Sequence, residues 1–317
     1  MNTFISLLKR ECLEYYRVFM WSPIVVFALI VIFGLTLAGG SGSLQFERVD
    51  SQNESSIQID AQGGDDALGR ALARLLLDVE GTTDTELSAR MTGLMNLIPL
   101  PFYCVWLVVS LYGLLACLHN ERRDRSVLFW KSMPVSDLQT IVSKFAFLAW
   151  IAPMLTLGVI LAAQLFVTFL LMTLVEQGMG MRLILHSGVL MSLVQILVGF
   201  LMNGFVVLPV FAWCILVSGW AKSMPMMWAF AVPLSLVVVE NIMTDGDRIA
   251  SFIVFHLSMP SLPGMSSIGE DPFGKGAATT FAEQFVVLGD AQFWLGLVVG
   301  LGFLAGAVYL RRVRNEI

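Results

Sequence analysis

The chain has 317 residues, of which 57% are hydrophobic and only 14% are charged, and its formal net charge is −5. A soluble globular domain is about 45–50% apolar and about 25% charged, so this composition excludes an ordinary soluble domain. The apolar residues form six long runs with very few charges, at 18–46, 91–120, 145–175, 183–221, 223–239 and 291–310. A membrane-spanning helix needs about 20 apolar residues, and we therefore predict an all-α integral membrane protein with six transmembrane helices.

The distribution of positive charge predicts the orientation of these helices. Lys and Arg are concentrated beside the start of the first run, between the second and third runs, and after the last run, whereas acidic residues dominate the segments in between. Cytoplasmic segments of membrane proteins carry an excess of Lys and Arg. We therefore expect both termini to be cytoplasmic.

The first and fourth runs need separate interpretation. Residues 1–19 show an amphipathic pattern and are predicted to form a helix that lies in the membrane interface, ahead of a membrane domain at 20–317. Pro23 is expected to start the first span, because a missing N–H costs least there. The run at 183–221 is interpreted as one long span, with two short re-entrant halves as the alternative.

Two outer segments are expected. The segment 40–96 is rich in Gly, Ser, Gln and acidic residues, and within it residues 65–80 are predicted to form a helix. The second segment is 241–290. Its apolar stretches, 249–257 and 281–288, are too short to cross a bilayer and are predicted to be short re-entrant helices before the last span.

Glycine pairs in the last span predict close helix packing. Gly296 and Gly300, and then Gly302 and Gly306, are each four residues apart. Small residues at this spacing let helix backbones approach closely in lipid. We expect this face to pack against another span.

Catalytic and cofactor motifs are not expected in this chain. The sequence GEDPFGK at 269–275 resembles a phosphate-binding loop, but Gly276 follows it where Ser or Thr would hold Mg²⁺, and no strand precedes it. The three histidines are far apart and lack metal-ligand spacing. We therefore expect no enzyme activity, no metal and no cofactor in the chain itself.

A few polar residues lie inside the predicted spans. Gln164 lies in the third span, and Gln195 and Asn203 lie in the fourth. Hydrogen bonding between helices is one interpretation and a substrate path is the other. The near absence of charge inside the spans argues against a carrier driven by an ion gradient.

The segment 119–144 is the one strongly charged interruption between two long runs. Its pattern predicts a helix, a turn and a second helix, with Ser136 or Asp137 capping the second helix. Anionic lipid is one expected partner of its arginines. Exposed aromatics flanked by arginines are also typical of a protein docking site. The candidate residues for docking are Glu121, Arg122, Arg123, Phe129, Trp130, Pro134 and Ser136.

The same segment resembles the cytoplasmic loop of ABC-2 type transporter permeases. The matching residues are Glu121 and Arg123, the turn Met-Pro-Val-Ser at 133–136, and Lys144 within FWKSMPVSDLQTIVSK. An amphipathic first helix, six spans, short outer helices before the last span and a basic tail agree with the same family.

This resemblance implies a function and a set of partners. It implies the membrane permease subunit of an ATP-driven exporter in the bacterial inner membrane, with 119–144 as the coupling loop. The cytoplasmic ATPase subunit would hold ATP and Mg²⁺, and a second permease subunit would complete a homodimer or heterodimer. Membrane lipid is expected to contact the chain, and no nucleic acid is expected. A non-transporting scaffold or sensor that docks a cytoplasmic partner is the alternative function.

Overall fold

A computed structural model describes five stretches of the chain, residues 3–40, 84–124, 135–174, 187–263 and 281–313. Within these stretches all regular elements are helical, in agreement with the predicted fold class. The helix expected at 65–80 and the motif at 269–275 lie outside the described residues.

Ten α-helices are present in the described residues. They are α1 (Thr3–Gly40), α2 (Asp84–Leu97), α3 (Leu100–Arg123), α4 (Asp137–Ala146), α5 (Ala152–Leu174), α6 (Val189–Val206), α7 (Leu208–Trp220), α8 (Pro225–Thr244), α9 (Arg248–Leu257) and α10 (Ala291–Val313). A short π-helical segment joins α4 to α5, and a 3-10 helix precedes α10. Six helical stretches are long and apolar enough to cross a membrane, which confirms the predicted number of span-length helices.

Local sequence explains where several helices begin. Pro101, Pro209 and Pro225 lie in the first turns of α3, α7 and α8, where a residue without an N–H costs little. Helix α4 begins with a capping box. The Ser136 hydroxyl accepts a hydrogen bond from the Gln139 N–H at 3.2 Å, and the Gln139 side chain accepts one from the Ser136 N–H at 3.4 Å. The sequence predicted a cap at Ser136 or Asp137, and Ser136 is the residue that caps α4.

Several helix ends meet at one end of the bundle, which we call the loop end because the segment between α3 and α4 starts and finishes there. Glu121 near the end of α3 contacts Lys144 of α4 and Arg311 at the end of α10. Arg10, in the first part of α1, contacts the same carboxylate. At the opposite end, Gly188 before α6 packs on the side chain of Thr92 in α2. The first part of α1, the ends of α3 and α10, and α4 thus lie at one end of the bundle, and which end faces the cytoplasm stays a prediction.

Helix α1 joins two elements that were expected to be separate. It is one helix of 38 residues with Pro23 in its interior. At about 1.5 Å per residue such a helix is about 57 Å long, which exceeds the roughly 30 Å hydrocarbon core of a bilayer. Its first part packs on the bundle through buried Leu7 and Phe19, and the Tyr15 ring stacks on Phe147 with centroids 6.1 Å apart. No break separates the predicted interfacial helix from the first span.

The fourth apolar run crosses the bundle once, as two consecutive helices. Helix α6 starts at the end opposite the loop end, and α7 finishes at the loop end, so the run is not a re-entrant pair. The break falls at Val207, whose carbonyl accepts the first bond of α7 from the Phe211 N–H at 3.0 Å. Pro209 explains the break, because it has no N–H to offer to the helical carbonyl four residues earlier.

The short outer elements occur where the sequence predicted them. Helix α9 and the 3-10 helix Glu283–Gly289 precede α10. His256 of α9 is buried with its imidazole against Gly296 of α10, and a Cβ at Gly296 would overlap the ring. Whether these elements re-enter the membrane stays a prediction.

The glycine pattern of α10 is only partly used for packing. Gly300 faces the Leu208 side chain, which a Cβ at that position would overlap. A Cβ at Gly306 would lie 3.1 Å from Leu216, whereas Gly302 has nothing within 4 Å. Close packing therefore follows three of the four predicted positions, and the Gly302 side of α10 is open.

Candidate functional site

Six charged side chains from four helices form a cluster at the loop end, and we call it the charge cluster. Its members are Arg10 and Glu11 of α1, Glu121 of α3, Asp137 and Lys144 of α4, and Arg311 of α10. Three of them are basic and three are acidic, so the cluster is formally neutral. Burying charges in an apolar environment is tolerated only when they are paired, and this composition meets that requirement.

Lys144 is at the centre of the charge cluster. Its ammonium donates hydrogen bonds to both carboxylate oxygens of Glu11, at 3.0 and 3.2 Å, and lies 3.1 Å from Glu121. The side chains of Lys144 and Glu11 are 1% and 0% exposed. One ammonium thus joins two carboxylates that belong to α1 and α3.

Two arginines complete the cluster on either side of Glu121. Arg10 lies 3.1 Å from Glu121 and 3.2 Å from its own neighbour Glu11. Arg311 lies 3.2 Å from Glu121 and 3.0 Å from Asp137, the first residue of α4. Glu121 therefore receives a positive group from each of α1, α4 and α10.

Arg122 ties α3 to α7 beside the charge cluster. Its guanidinium donates to the carbonyls of Ser218 and Ala221, at 2.7 and 2.8 Å. These carbonyls lie in the last turn of α7 and at the residue that follows it, where no helical donor is available. In return, the Ser218 hydroxyl accepts hydrogen bonds from the backbone N–H groups of Leu118 and His119 in α3. The loop ends of α3 and α7 are thereby held together by four hydrogen bonds.

The predicted docking residues differ in burial and in what they contact. Glu121 and Arg122 are buried and act on neighbouring helices. Arg123 has 66% of its side chain exposed and contacts the equally exposed Asp124 at 3.4 Å. Ser136 caps α4, and Phe129, Trp130 and Pro134 lie outside the described residues. Of the described docking candidates, Arg123 is the one whose charge is accessible to a partner.

Five side chains form a polar network inside the bundle, near the end opposite the loop end. Gln164 donates to Ser192 Oγ at 2.9 Å, and Ser192 donates to Asn96 Oδ1 at 2.8 Å. Asn96 Nδ2 donates to Gln195 Oε1 at 3.2 Å, and Gln284 Nε2 donates to the Gln195 carbonyl at 2.8 Å. These bonds join α2, α5, α6 and the 3-10 helix.

The three predicted intramembrane residues are thus only partly brought together. Gln164 and Gln195 belong to the polar network, and their bonds match the interhelical interpretation. Asn203 lies eight residues, or about two turns, beyond Gln195 on α6. There its Oδ1 accepts a hydrogen bond from Ser261 at 3.4 Å. A substrate path along these residues stays a prediction.

The sequence did not predict that these six side chains meet in one cluster. A usable signal exists in α1, because Phe4, Leu8, Glu11 and Tyr15 follow the three-and-four spacing of one helix face. An acidic residue on that apolar face indicates a buried partner. The partner itself lies 133 positions away in the sequence, which periodicity cannot reveal.

Comparisons with known proteins do not identify this chain. Comparison with protein-family models, with curated proteins and with solved structures finds no match. Among the described residues, no group of three or more His, Cys, Asp or Glu side chains is placed to hold a metal ion.

Proposed function

We propose that this protein is the membrane permease subunit of an ATP-driven exporter of the ABC-2 type, located in the bacterial inner membrane. A separate cytoplasmic ATPase subunit would supply the energy and hold ATP and Mg²⁺. A second permease subunit would complete the transporter. The proposal is supported by the resemblance of segment 119–144 to the coupling loop of that family and by the six span-length helices.

One observation carries the proposal. The positions that match the family pattern at both ends of the loop, Glu121 and Lys144, are in contact at 3.1 Å. Ser136, a third matching position, starts α4 with a capping box. The Glu121–Lys144 contact therefore joins the end of α3 to α4, and Ser136 marks where α4 begins after the loop.

Such a loop suits the transmission of force. A ligand changes the conformation of a protein only if it binds the two states differently. ATP would make this distinction in the partner subunit, and the loop would carry the resulting displacement to α3 and α4. The exposed Arg123 at the start of the loop would contact an acidic site on the partner.

The first experiment asks whether the partner exists. The tagged chain is cross-linked in its native membrane, purified and analysed by mass spectrometry. We expect a companion subunit that has a phosphate-binding loop and whose ATP hydrolysis increases when the two are reconstituted together. Recovery of the chain without any nucleotide-hydrolysing companion would refute the proposal.

The second experiment tests the loop with a matched pair of variants. Arg123→Ala is expected to abolish the stimulation of ATP hydrolysis while membrane insertion stays normal. Arg312→Ala also removes an exposed arginine at the loop end, but outside the loop, and is expected to keep full stimulation. Equal stimulation in both variants would contradict a coupling role. ATP-dependent movement of cargo into liposomes separates a transporter from the alternative, a scaffold or sensor.

A further inference from the structure

The two helix ends that flank residues 125–134, the end of α3 and the start of α4, contact helices that do not adjoin them in the sequence. Before the loop, Glu121 contacts Arg10 of α1 and Arg311 of α10. After the loop, Asp137 contacts Arg311, at 3.0 Å. The first and last spans therefore hold the ends of a loop that belongs to the second and third spans.

Lys144 joins three helices within the charge cluster, α1, α3 and α4. It is the one described group that contacts a carboxylate from α1 and a carboxylate from α3 while belonging to α4. Its side chain is also almost wholly buried, so water cannot replace it as a partner for either acid. Without the ammonium, Glu11 and Glu121 would face each other with fewer positive neighbours.

We propose that Lys144 is a positioning residue that fixes the end of α3 and the start of α4 relative to α1, so that a displacement of these two helix ends moves α1 with them. The role of Lys144 in transport rests on the proposed function. The positioning itself is a property of the chain alone and can be measured without a partner.

Exchanging the charges of Glu121 and Lys144 would not recreate the same set of contacts. Glu121 is contacted by Arg10 and Arg311 as well as by Lys144. Placing a lysine at 121 and a glutamate at 144 would put like charges beside both arginines and beside Glu11. The double exchange is therefore expected not to restore the wild-type position of the loop, although an isolated ion pair would tolerate it.

The test measures a distance between α1 and the start of the loop. Spin labels are placed on cysteines introduced at Leu13 and Asp124, which are both exposed, in the full chain in lipid nanodiscs. The accessible native cysteines, Cys12 and Cys104, are first replaced by alanine. Double electron–electron resonance spectroscopy then gives the distribution of the distance between the two spin labels.

We expect a narrow distribution in the parent protein and one at least twice as broad in Lys144→Met. Lys144→Arg keeps the charge and is expected to give the narrow distribution of the parent protein. The double variant Glu121→Lys with Lys144→Glu is expected to give a broad distribution. A control pair of labels at Leu165 and Leu201, on the exposed sides of α5 and α6, is expected to be unchanged in every variant. This control separates positioning of the loop from a general loosening of the bundle.

An unchanged width in Lys144→Met, or equal broadening of the control pair, would overturn the inference. If Lys144→Met does not insert, Glu11→Gln provides the same test, because it removes one of the two carboxylates that Lys144 contacts. A width in Glu11→Gln that equals the parent value would likewise overturn the inference. These results do not depend on the ATPase, so they are distinguishable from a failure to recover a companion subunit.

Discussion

Neutralising Glu11 is the sharpest test of what the charge cluster contributes to stability. Glu11 has no exposed side-chain surface and accepts two hydrogen bonds from Lys144, at 3.0 and 3.2 Å. Removing one member of a buried ion pair costs about 3–5 kcal/mol. Because Lys144 keeps Glu121 as a second partner, we expect Glu11→Gln to cost about 3 kcal/mol, the lower end of that range.

The matched control lies one turn further along the same helix. Glu14 pairs with Arg10 at 3.7 Å and has 51% of its side chain exposed. Exposed pairs four residues apart contribute about 0.3–0.5 kcal/mol, so Glu14→Gln is expected to be nearly neutral. Both variants lose one negative charge from α1, and the difference between them therefore reports burial and pairing rather than net charge.

The assay is reversible unfolding of the purified protein in mixed micelles with increasing sodium dodecyl sulfate. A double-mutant cycle with Lys144→Met isolates the interaction, and contacting groups typically give about 0.5–3 kcal/mol in such a cycle. A cost of Glu11→Gln no larger than that of Glu14→Gln would refute the reasoning, as would strict additivity with Lys144→Met.

Three further predictions concern other parts of the bundle. Gly300→Ala is expected to cost about 1–3 kcal/mol because the added methyl meets Leu208, whereas Gly302→Ala, with open space around it, should not destabilise the protein; the same unfolding assay checks both. Arg122→Met is expected to cost about 1.5–3 kcal/mol by leaving two carbonyls of α7 without a charged donor, and faster amide exchange at the end of α7 would report it. Burial lowers the pKa of His256, so the unfolded chain binds a proton more readily and stability should fall as the pH drops below about 6.5; His256→Gln should flatten this dependence in melting curves between pH 8 and pH 5.

The spans were predictable because they depend on composition over long windows. Runs of about 20 apolar residues leave few alternatives to a helix in lipid, since every backbone group must be satisfied within the segment. The cap at Ser136 was predictable for a local reason, because a hydroxyl followed three residues later by Gln satisfies orphan N–H groups. Neither prediction depends on which helices pack against each other.

The charge cluster could not be predicted from local patterns. Lys144 and Glu11 are 133 positions apart, and Arg311 and Asp137 are 174 positions apart. Which acid meets which base depends on the order of helices around the bundle. The charges of Glu121 and Arg122 indicated a solvent-facing surface, but the same charges satisfy buried partners in this structure.

Whether a helix continues through a proline was also difficult to predict from the sequence. Pro23 and Pro209 both lie inside long apolar runs, yet α1 continues past the first and the helix is interrupted beside the second. The interruption at Val207 coincides with the close contact of Leu208 with Gly300 on α10. The presence of a proline alone therefore does not determine whether a helix continues.

The wide sequence separation within the charge cluster has a consequence for biosynthesis. During translation, Glu121 and Asp137 enter the membrane region long before Arg311 is made, so the cluster is electrically incomplete until the last helix arrives. Insertion of α10 is thus the step that neutralises the earlier helices. In a chain that stalls before this point, Glu121 would still have Arg10 and Lys144 beside it, whereas Asp137 would lack its arginine.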